Sequence, residues 1–395
     1  MGMRRGIHPW GEAPWTVDFR PSALSLPDHV DVAIVGGGFS GLSAAAWLRR
    51  LAPEKSVVIF ETASLGEGAS GRTGGIALAE TAAGPLPGLG DVLAGYKKIL
   101  RALRIDARLE LPGVYELGRR LPAKGSPISW SDSGTLEVVR RVAGGTVDPG
   151  KVVAGLARAA EKAGAQICER AHVEAIDFAK PLRLRVGHKI RGNIQRKQVC
   201  AEQILLATNA FSPELSGLHR TTASRLTLAL ATAPLSAAQR KAIGLSSRCA
   251  FYTIDFPYLW GRVLESGGVI FGSGLVPMPE SFGVLYRDSG GSKRGGSHNL
   301  YRFDVRKGEC AERLGWLENR VRHLHPALKS VRVTHRWGGP ILFTEKMRPV
   351  FHLHPRSKNA MVLAGYNGHG VALSVYLGKW AAEAILGRRA LPRWL

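Results

Sequence analysis

Cysteine is scarce in this chain: four in 395 residues, at 168, 200, 249 and 310, with no Cys-x-x-Cys pair. Thiols so far apart point to reduced, mostly buried side chains in a cytoplasmic protein. No uninterrupted apolar run reaches the roughly 20 residues that a bilayer-spanning helix needs. The first ten residues, Met-Gly-Met-Arg-Arg-Gly-Ile-His-Pro-Trp, carry arginines with no apolar core behind them, so they do not read as a secretory signal. Acidic residues are also in short supply, 31 against 54 Lys and Arg, which leaves a formal charge of +23. Such an excess suits a polyanionic partner, RNA or an anionic membrane surface, and equally suits a surface built for solubility.

The basic residues are dispersed, with two local concentrations. Arg183, Arg185, Lys189, Arg191, Arg196 and Lys197 alternate with apolar residues as an exposed hairpin does. Arg287, Lys293, Arg294, Arg302, Arg306 and Lys307 are expected in a Gly/Ser-rich loop. Solvated surface is the expectation for both, ahead of nucleic-acid binding.

What the chain does carry is concentrated in residues 31–61. They begin Asp-Val-Ala-Ile-Val-Gly-Gly-Gly-Phe-Ser-Gly-Leu and close with Val-Val-Ile-Phe-Glu. This order reads as strand, glycine turn, helix, strand and acidic residue, the βαβ unit that holds the ADP half of a dinucleotide. Val32 to Val35 supply the apolar strand. Gly36 permits the tight turn, Gly38 lets backbone approach a pyrophosphate, and Gly41 lets the helix pack close to the strand. The helix beginning near Gly41, just after Phe39 and Ser40, points its N-terminal N–H groups and dipole at the phosphates. Glu61, about 20 residues beyond Gly41, is placed to hydrogen-bond ribose hydroxyls.

Further along, residues 1–29 look like an irregular arm. Residues 63–76 form a small-residue loop, a helical stretch follows around 91–106, and alternating segments at 114–119 and 135–141 read as strands. Asp148-Pro-Gly opens an amphipathic helix over 151–163 that Gly164 ends, and 165–176 read as the next strand. Residues 204–210 read as a short buried strand. From 213 to 332 the α/β rhythm breaks, with strands near 226–233, 258–264 and 269–272, a loop at 284–300 and a helix at about 309–323. The chain returns through Trp337-Gly-Gly-Pro and Met361-Val-Leu-Ala-Gly to a final helix at about 371–386.

Four separated signatures then agree: the βαβ unit, Gly68-Ala-Ser-Gly-Arg-Thr-Gly-Gly75, Leu206-Ala-Thr-Asn-Ala210 and Gly365-Tyr-Asn-Gly-His-Gly370. In this order they resemble the FAD-dependent D-amino-acid oxidase superfamily, which includes glycine and sarcosine oxidases, D-amino-acid dehydrogenases and γ-glutamylputrescine oxidases. The similarity runs from about residue 28 to 388. The second signature and the Trp-containing segments before Asp31 most resemble the γ-glutamylputrescine oxidase branch. The resemblance implies an α/β Rossmann-like FAD-binding domain, residues 30–212 and 333–395, with a second antiparallel-sheet α+β substrate domain, residues 213–332. Residues 110–145 are candidates to lend strands to the second domain.

It also implies FAD as cofactor and a set of residues around it. Ser70, Gly71, Arg72, Gly74 and Gly75 would approach the pyrophosphate and the flavin edge, Arg72 adding charge. Ala207, Thr208 and Asn209 would place backbone by the dinucleotide, and Val173 would meet adenine through its backbone. Gly365, Asn367, Gly368, His369 and Gly370 precede a helix whose dipole would face the flavin pyrimidine ring, where negative charge develops. There is no second Gly-x-Gly-x-x-Gly after a strand, so the resemblance implies hydride taken directly from an organic substrate.

The chain departs from sarcosine oxidases at two points. The position of their flavin-bonding cysteine is Gly339 here, so noncovalent FAD is expected. The position of their carboxylate-holding lysine is Ala372, which removes a charge-assisted pair and tilts the expectation from N-methyl amino acids toward amines. In the second domain Tyr258, Trp260 and Arg262 fall on one strand face by period-two spacing. Tyr258 and Trp260 are candidates to wall an amine and Arg262 to orient a polar tail, though an aromatic strand packing the core fits as well. His369 could take a proton through water or simply shape its turn. His323/His325 and His352/His354 could each share a strand face, but no carboxylate or cysteine set completes a metal site.

The reaction so implied is oxidation of the C–N bond of an amine or amino acid by hydride transfer to flavin N5, with electrons passing to oxygen. A dehydrogenase of the same fold using a quinone, an RNA-acting flavoprotein and a flavin binder without turnover are the rival readings.

Overall fold

The computed structural model describes residues 8–22, 25–119, 125–190, 193–211, 213–277 and 303–394. The chain runs β1 (His29–Val35), α1 (Phe39–Leu51), β2 (Val57–Phe60), β3 (Ile76–Leu78), α2 (Val92–Ala102), β4 (Val114–Gly118), β5 (Ser129–Ser131), β6 (Thr135–Val142), β7 (Gly144–Thr146) and α3 (Pro149–Lys162). Next come β8 (Gln166–Cys168), β9 (Ala171–Asp177), β10 (Leu182–Ile190), β11 (Asn193–Leu206), β12 (Thr222–Thr232), α4 (Ala237–Ala242), β13 (Ala250–Thr253), β14 (Leu259–Val263) and β15 (Val269–Pro277). It ends with α5 (Gly308–Leu324), β16 (Val333–Thr344), β17 (Val350–His354), β18 (Ser357–Ala364) and α6 (Gly370–Ile385).

The first sheet has the order β17-β18-β11-β1-β2-β8, with β10 pairing β11 and β9 off that path. Its centre is parallel: β1 lies between β2 and β11, and β18 flanks β11. Such strands are covered on both faces, which is why they read as continuous apolar runs. The pleat divides them cleanly. Val32 and Ile34 of β1 and Val57 and Ile59 of β2 face the core shared with α1, α2, α3 and α6. Ala33, Val35, Val58 and Phe60 face a second core built with β9–β11 and the start of the second sheet. Asp148 caps α3 by accepting from the Lys151 N–H at 2.9 Å, Pro149 follows at the first turn, and Gly164 (φ 95°) lies just past its end. These are the signals by which the sequence announces that helix.

The second sheet has the order β16-β12-β15-β14-β13-β4-β6-β5 and is antiparallel except where β13 meets β4. Strands β4, β5 and β6 of this sheet lie within residues 110–145. A separate core beneath it is formed by α5 with Trp130, Phe251 and Phe271. No described helix is long and apolar enough to cross a membrane.

The structure corrects several sequence expectations. Residues 165–176 form two strands, because Arg170 adopts a left-handed φ of 56° and turns the chain from β8, beside β2, into β9, beside β10. The segment from 204 is the inner end of the 14-residue β11, whose outer half is basic and exposed and whose inner half is buried. Residues 333–344, expected in the cofactor domain, form β16 and pair along β12 in the second sheet. The N-terminal arm lies along the body with its residues alternately half-buried and exposed, and it is anchored at Trp10 and Gly11. Trp10 is buried, Gly11 bridges Trp337, and the Gly338 N–H donates to the Trp10 carbonyl at 2.8 Å. His323 lies on α5 and not on a strand, and His354 stacks on Phe178 with centroids 4.1 Å apart. The loop at 284–300, with Arg287, Lys293 and Arg294, lies outside the described residues, as do Arg191 and Arg302.

Candidate active site

A cavity of about 1180 Å³ runs between the two sheets. That exceeds the ordinary range of about 300–1,000 Å³ for a small-molecule pocket and suits a dinucleotide together with a second ligand. Of the residues singled out in the sequence, Gly36, Gly38, Phe39, Ser40, Glu61, Ser70, Arg72, Gly74, Val173, Ala207, Thr208, Asn209, Asn367, Gly368, His369 and Gly370 line it. They come from segments spread over positions 36 to 370.

Three contacts assemble its floor. Gly36 has φ +108°, and a Cβ there would lie 2.6 Å from the Ala207 carbonyl oxygen. A Cβ on Gly41 would meet the Gly36 oxygen at 2.0 Å, so α1 packs as closely on β1 as the motif requires. Gly38 has a different reason to be glycine. Its Cβ would fall 2.9 Å from Ser70 Oγ, which accepts the Phe39 N–H at 2.9 Å and closes the 68–75 loop onto the helix start.

Glu61 sits at the end of β2 and accepts from the Gly37 and Ala63 N–H groups at 2.8 and 2.9 Å. Burial pushes its pKa up; those N–H groups pull against this, and Glu67 and Glu169 add to it. A partly buried carboxylate already holding the first turn is the chemistry that accepts from hydroxyl donors. Further round the wall, Asn209 (φ 49°) accepts the Gly365 N–H at 3.0 Å, so two of the predicted signatures are joined directly. Asn367 accepts from the Thr344 N–H at 2.8 Å and donates to the Gly365 carbonyl at 2.7 Å, fixing the turn before α6. Neither α1 nor α6 has an acidic residue in its first turn or a side-chain cap. Both N-termini therefore present uncompensated positive dipole ends toward one cavity. The Ser40 hydroxyl hydrogen-bonds the Tyr366 hydroxyl and ties these two helix starts together.

Some assignments change. Arg72 lines the cavity, but its Nε donates to the Glu67 carbonyl at 2.8 Å and its Nη1 to the Gly11 carbonyl at 2.9 Å. It also stacks over Trp10. It is a buried strut between the loop and the N-terminal arm, and burial pulls its pKa down to about 10. Gly71 and Gly75 support rather than line the cavity: a Cβ on Gly71 would strike the Gly66 oxygen at 2.0 Å, and Gly75 needs φ +73°. Gly365, likewise off the wall, needs φ +69°. Tyr258 precedes β14 and is half exposed at the cavity mouth. Trp260 does line the cavity, lying across Gly74 and Gly272, where added Cβ atoms would come within 2.3 and 2.0 Å of its ring. Arg262 is buried behind it, off the cavity wall, with its guanidinium over Trp15 and burial pulling its pKa down to about 10.

His369 lines the cavity half-buried. Burial lowers its pKa, and its Nδ1 lies 3.3 Å from the Asn367 carbonyl oxygen. An acceptor at Nδ1 fixes the proton there and leaves Nε2 as a bare base in the neutral ring. Sequence reasoning missed Tyr252, Tyr366, His172 and Ser374. The last is a buried hydroxyl on the cavity wall with no partner among the described residues. An orphaned polar atom of this kind fits a bound polar ligand. Gly339 lines the cavity, and none of the four cysteines does; all four are free. On the hairpin, Arg183, Arg185, Arg196 and Lys197 each face a carboxylate, which blunts its basic character.

Comparison with known proteins agrees with this geometry. The chain is 26% identical to a protein named Probable oxidoreductase OrdL from Rhizobium meliloti (strain 1021), covering 96% of this chain and 88% of that one. It is 25% identical to Gamma-glutamylputrescine oxidoreductase from Escherichia coli (strain K12), covering 90% and 84%. The fold matches glycine oxidase from Geobacillus kaustophilus with a TM-score of 0.65 at 21% identity, over 92% of this chain and 96% of that one. The family described as FAD dependent oxidoreductase matches residues 31–384, and the chain belongs to it.

Proposed function

We propose that this FAD-dependent oxidoreductase oxidises a carbon–nitrogen bond of an amine or amino acid and passes the electrons to oxygen. The observation that carries the reading is the wall that the second sheet gives this cavity: the cross-strand pair Tyr252 and Trp260, with the Trp260 ring held against the 68–75 loop at Gly74. The name of the Escherichia coli relative, which includes a putrescine amine, supports the same chemistry.

In this reading the first sheet is the cofactor half and the second sheet the substrate half. The 36–41 turn, Ser70, Glu61, Val173, residues 207–209 and residues 367–370 would hold noncovalent FAD. Bound FAD supplies the two-electron acceptor for the hydride that leaves the substrate α-carbon. The protein's share is to hold the substrate in reacting geometry in a pocket with little water. Trp260 is locked between two glycines and provides a rigid wall. The Tyr252 hydroxyl donates to Glu116, which Arg140 also engages, so the phenol cannot swing. Burial and the Glu116 charge raise the Tyr252 pKa, which keeps it neutral at physiological pH. His369 Nε2 is the base available to take a proton from an arriving ammonium, since only the neutral amine can be oxidised. The imine product hydrolyses in solvent.

The test is the visible spectrum of the purified protein under anaerobic conditions, before and after addition of pooled amines and amino acids. Bleaching that reverses on admitting air supports the proposal. A flavin spectrum that stays oxidised through the whole pool removes it.

A further inference from the structure

Among the described residues, nine large hydrophobic side chains are strongly exposed, and five of these, Ile254, Phe256, Tyr258, Trp316 and Met347, line the same cavity. Scattered exposed apolar groups need no explanation, but a cluster around one opening does. Phe256 is 78% exposed, and Tyr258 and Trp316 are 49% and 47% exposed. Phe256 and Tyr258 meet edge to face with centroids 5.4 Å apart.

The loop that carries them is held rigidly. Arg320 donates to the Pro257 carbonyl at 2.9 Å, to the Tyr258 carbonyl at 3.2 Å and to Ser273 Oγ at 3.0 Å. Its remaining donors engage Asp132, which also takes Arg119, and both partners of the Arg320–Asp132 pair are buried. Below, Thr253 Oγ1 accepts the Leu259 N–H at 2.8 Å. A buried, fully engaged arginine thus presents aromatic rings to solvent in fixed positions. Preorganisation of that kind strengthens ligand binding by lowering its ordering cost.

The charges beside the rings narrow the ligand. The Arg320 guanidinium lies 5.2 Å over the Trp316 ring, and Arg313 lines the same mouth, paired with Glu309. Both arginines are already paired with carboxylates, and among the described residues no carboxylate lines the mouth beside the rings, so a second ammonium would find no counter-ion there, whereas a neutral ring or branched alkyl group needs none. We propose that Phe256, Tyr258 and Trp316 form a distal substrate subsite for an aromatic or bulky apolar group attached to the oxidised amine. The substrate class is therefore an aryl- or alkyl-substituted amine, not a small amino acid or a diamine. This rests on the C–N oxidation reading, with Trp260 walling the inner end of the cavity and the three rings its outer end.

The experiment measures kcat/KM of the FAD-loaded protein over a homologous series of primary amines, from ethylamine to hexylamine and phenylbutylamine, with 1,6-diaminohexane as the cationic comparison. The expected result is a rise of about two- to threefold per added methylene, as for a half-buried CH₂, with the diamine well below hexylamine. Phe256→Ala and Trp316→Ala are expected to flatten that slope and to lower phenylbutylamine about tenfold. A flat series in the unsubstituted protein, or variants that lower every member equally, overturns the subsite. A parallel titration uses the matching alcohols, which have no C–N bond to oxidise, and reads the shift of the oxidised flavin spectrum. Tightening with chain length supports the subsite even if no amine bleaches the flavin, and no tightening overturns it. Absence of bleaching with all amines counts against the oxidation reading alone.

Discussion

Replacing Glu61 by Gln should separate cofactor affinity from stability. The Glu61 carboxylate accepts from two backbone N–H groups, at 2.8 and 2.9 Å, and in this reading also from the FAD ribose. Glutamine preserves the shape but offers one acceptor oxygen and no charge, and its amide nitrogen would face an N–H group. Losing a charge-assisted hydrogen bond costs about 1.5–3 kcal/mol. Against that, the substitution relieves the partial burial of a charge beside Glu67 and Glu169, which together raise the Glu61 pKa. In the apoprotein these effects oppose each other, so the net change should stay within about 1 kcal/mol, a Tm shift of no more than about 4 °C. The cofactor has no such compensation. Its dissociation constant should rise by about 10- to 150-fold, at 1.4 kcal/mol per decade. Fluorescence titration of apoprotein with FAD and a thermal melt without it measure the two quantities. A dissociation constant within twofold of the parent would refute the ribose role, and a large Tm loss with unchanged affinity would make Glu61 a purely structural acceptor.

Gly41→Ala should cost about 3 kcal/mol through overpacking against the Gly36 oxygen and should abolish flavin retention; urea unfolding and the spectrum of the purified variant report both. Asp132→Asn should destabilise by about 3–5 kcal/mol because it leaves the buried Arg320 charge without its partner. The double variant with Arg320→Met should recover part of that loss in the same urea assay, and no recovery would mean that the ion pair is not the cause. Burial lowers His8 to about 4 and lowers His354 and His369 as well. The unfolded chain then binds protons first, so stability is fully present above about pH 6.5 and is lost as pH falls toward the folded values. After discounting for partial exposure, His8 alone should account for about 1–2 kcal/mol of this. A urea midpoint that is equal at pH 7.5 and pH 5 would contradict it.

The βαβ unit was legible because each of its features is local: strand periodicity, glycine spacing and a carboxylate at a fixed offset. The same holds for α3, with Asp148, Pro149 and Gly164 in their usual places. Features that depend on distant partners were not legible. Gly38 is glycine because of Ser70, and Arg72 faces inward because Trp10 and Gly11 from the arm offer it carbonyls. Val333 to Thr344 carry no mark in their own sequence that assigns them to β12 rather than to the first sheet. Period-two spacing did put Trp260 and Arg262 on one face, yet only Trp260 reaches the cavity, because β14 is covered behind Trp260 by Trp15 and Trp337. Ser374 could have been suspected only from the helix that follows the Gly-His-Gly turn. Nothing in the sequence shows that its hydroxyl would lack a partner.

The hydroxyl pair Ser40–Tyr366 joins residues 326 positions apart. Translation delivers the two in order, at about 5–20 residues per second. For some tens of seconds a nascent chain therefore displays its glycine turn with half of the pocket still to be made. The central sheet waits as well, since β18 must arrive to cover β11. Cofactor capture in this architecture consequently waits for both signatures to be made and does not belong to the first folded segment.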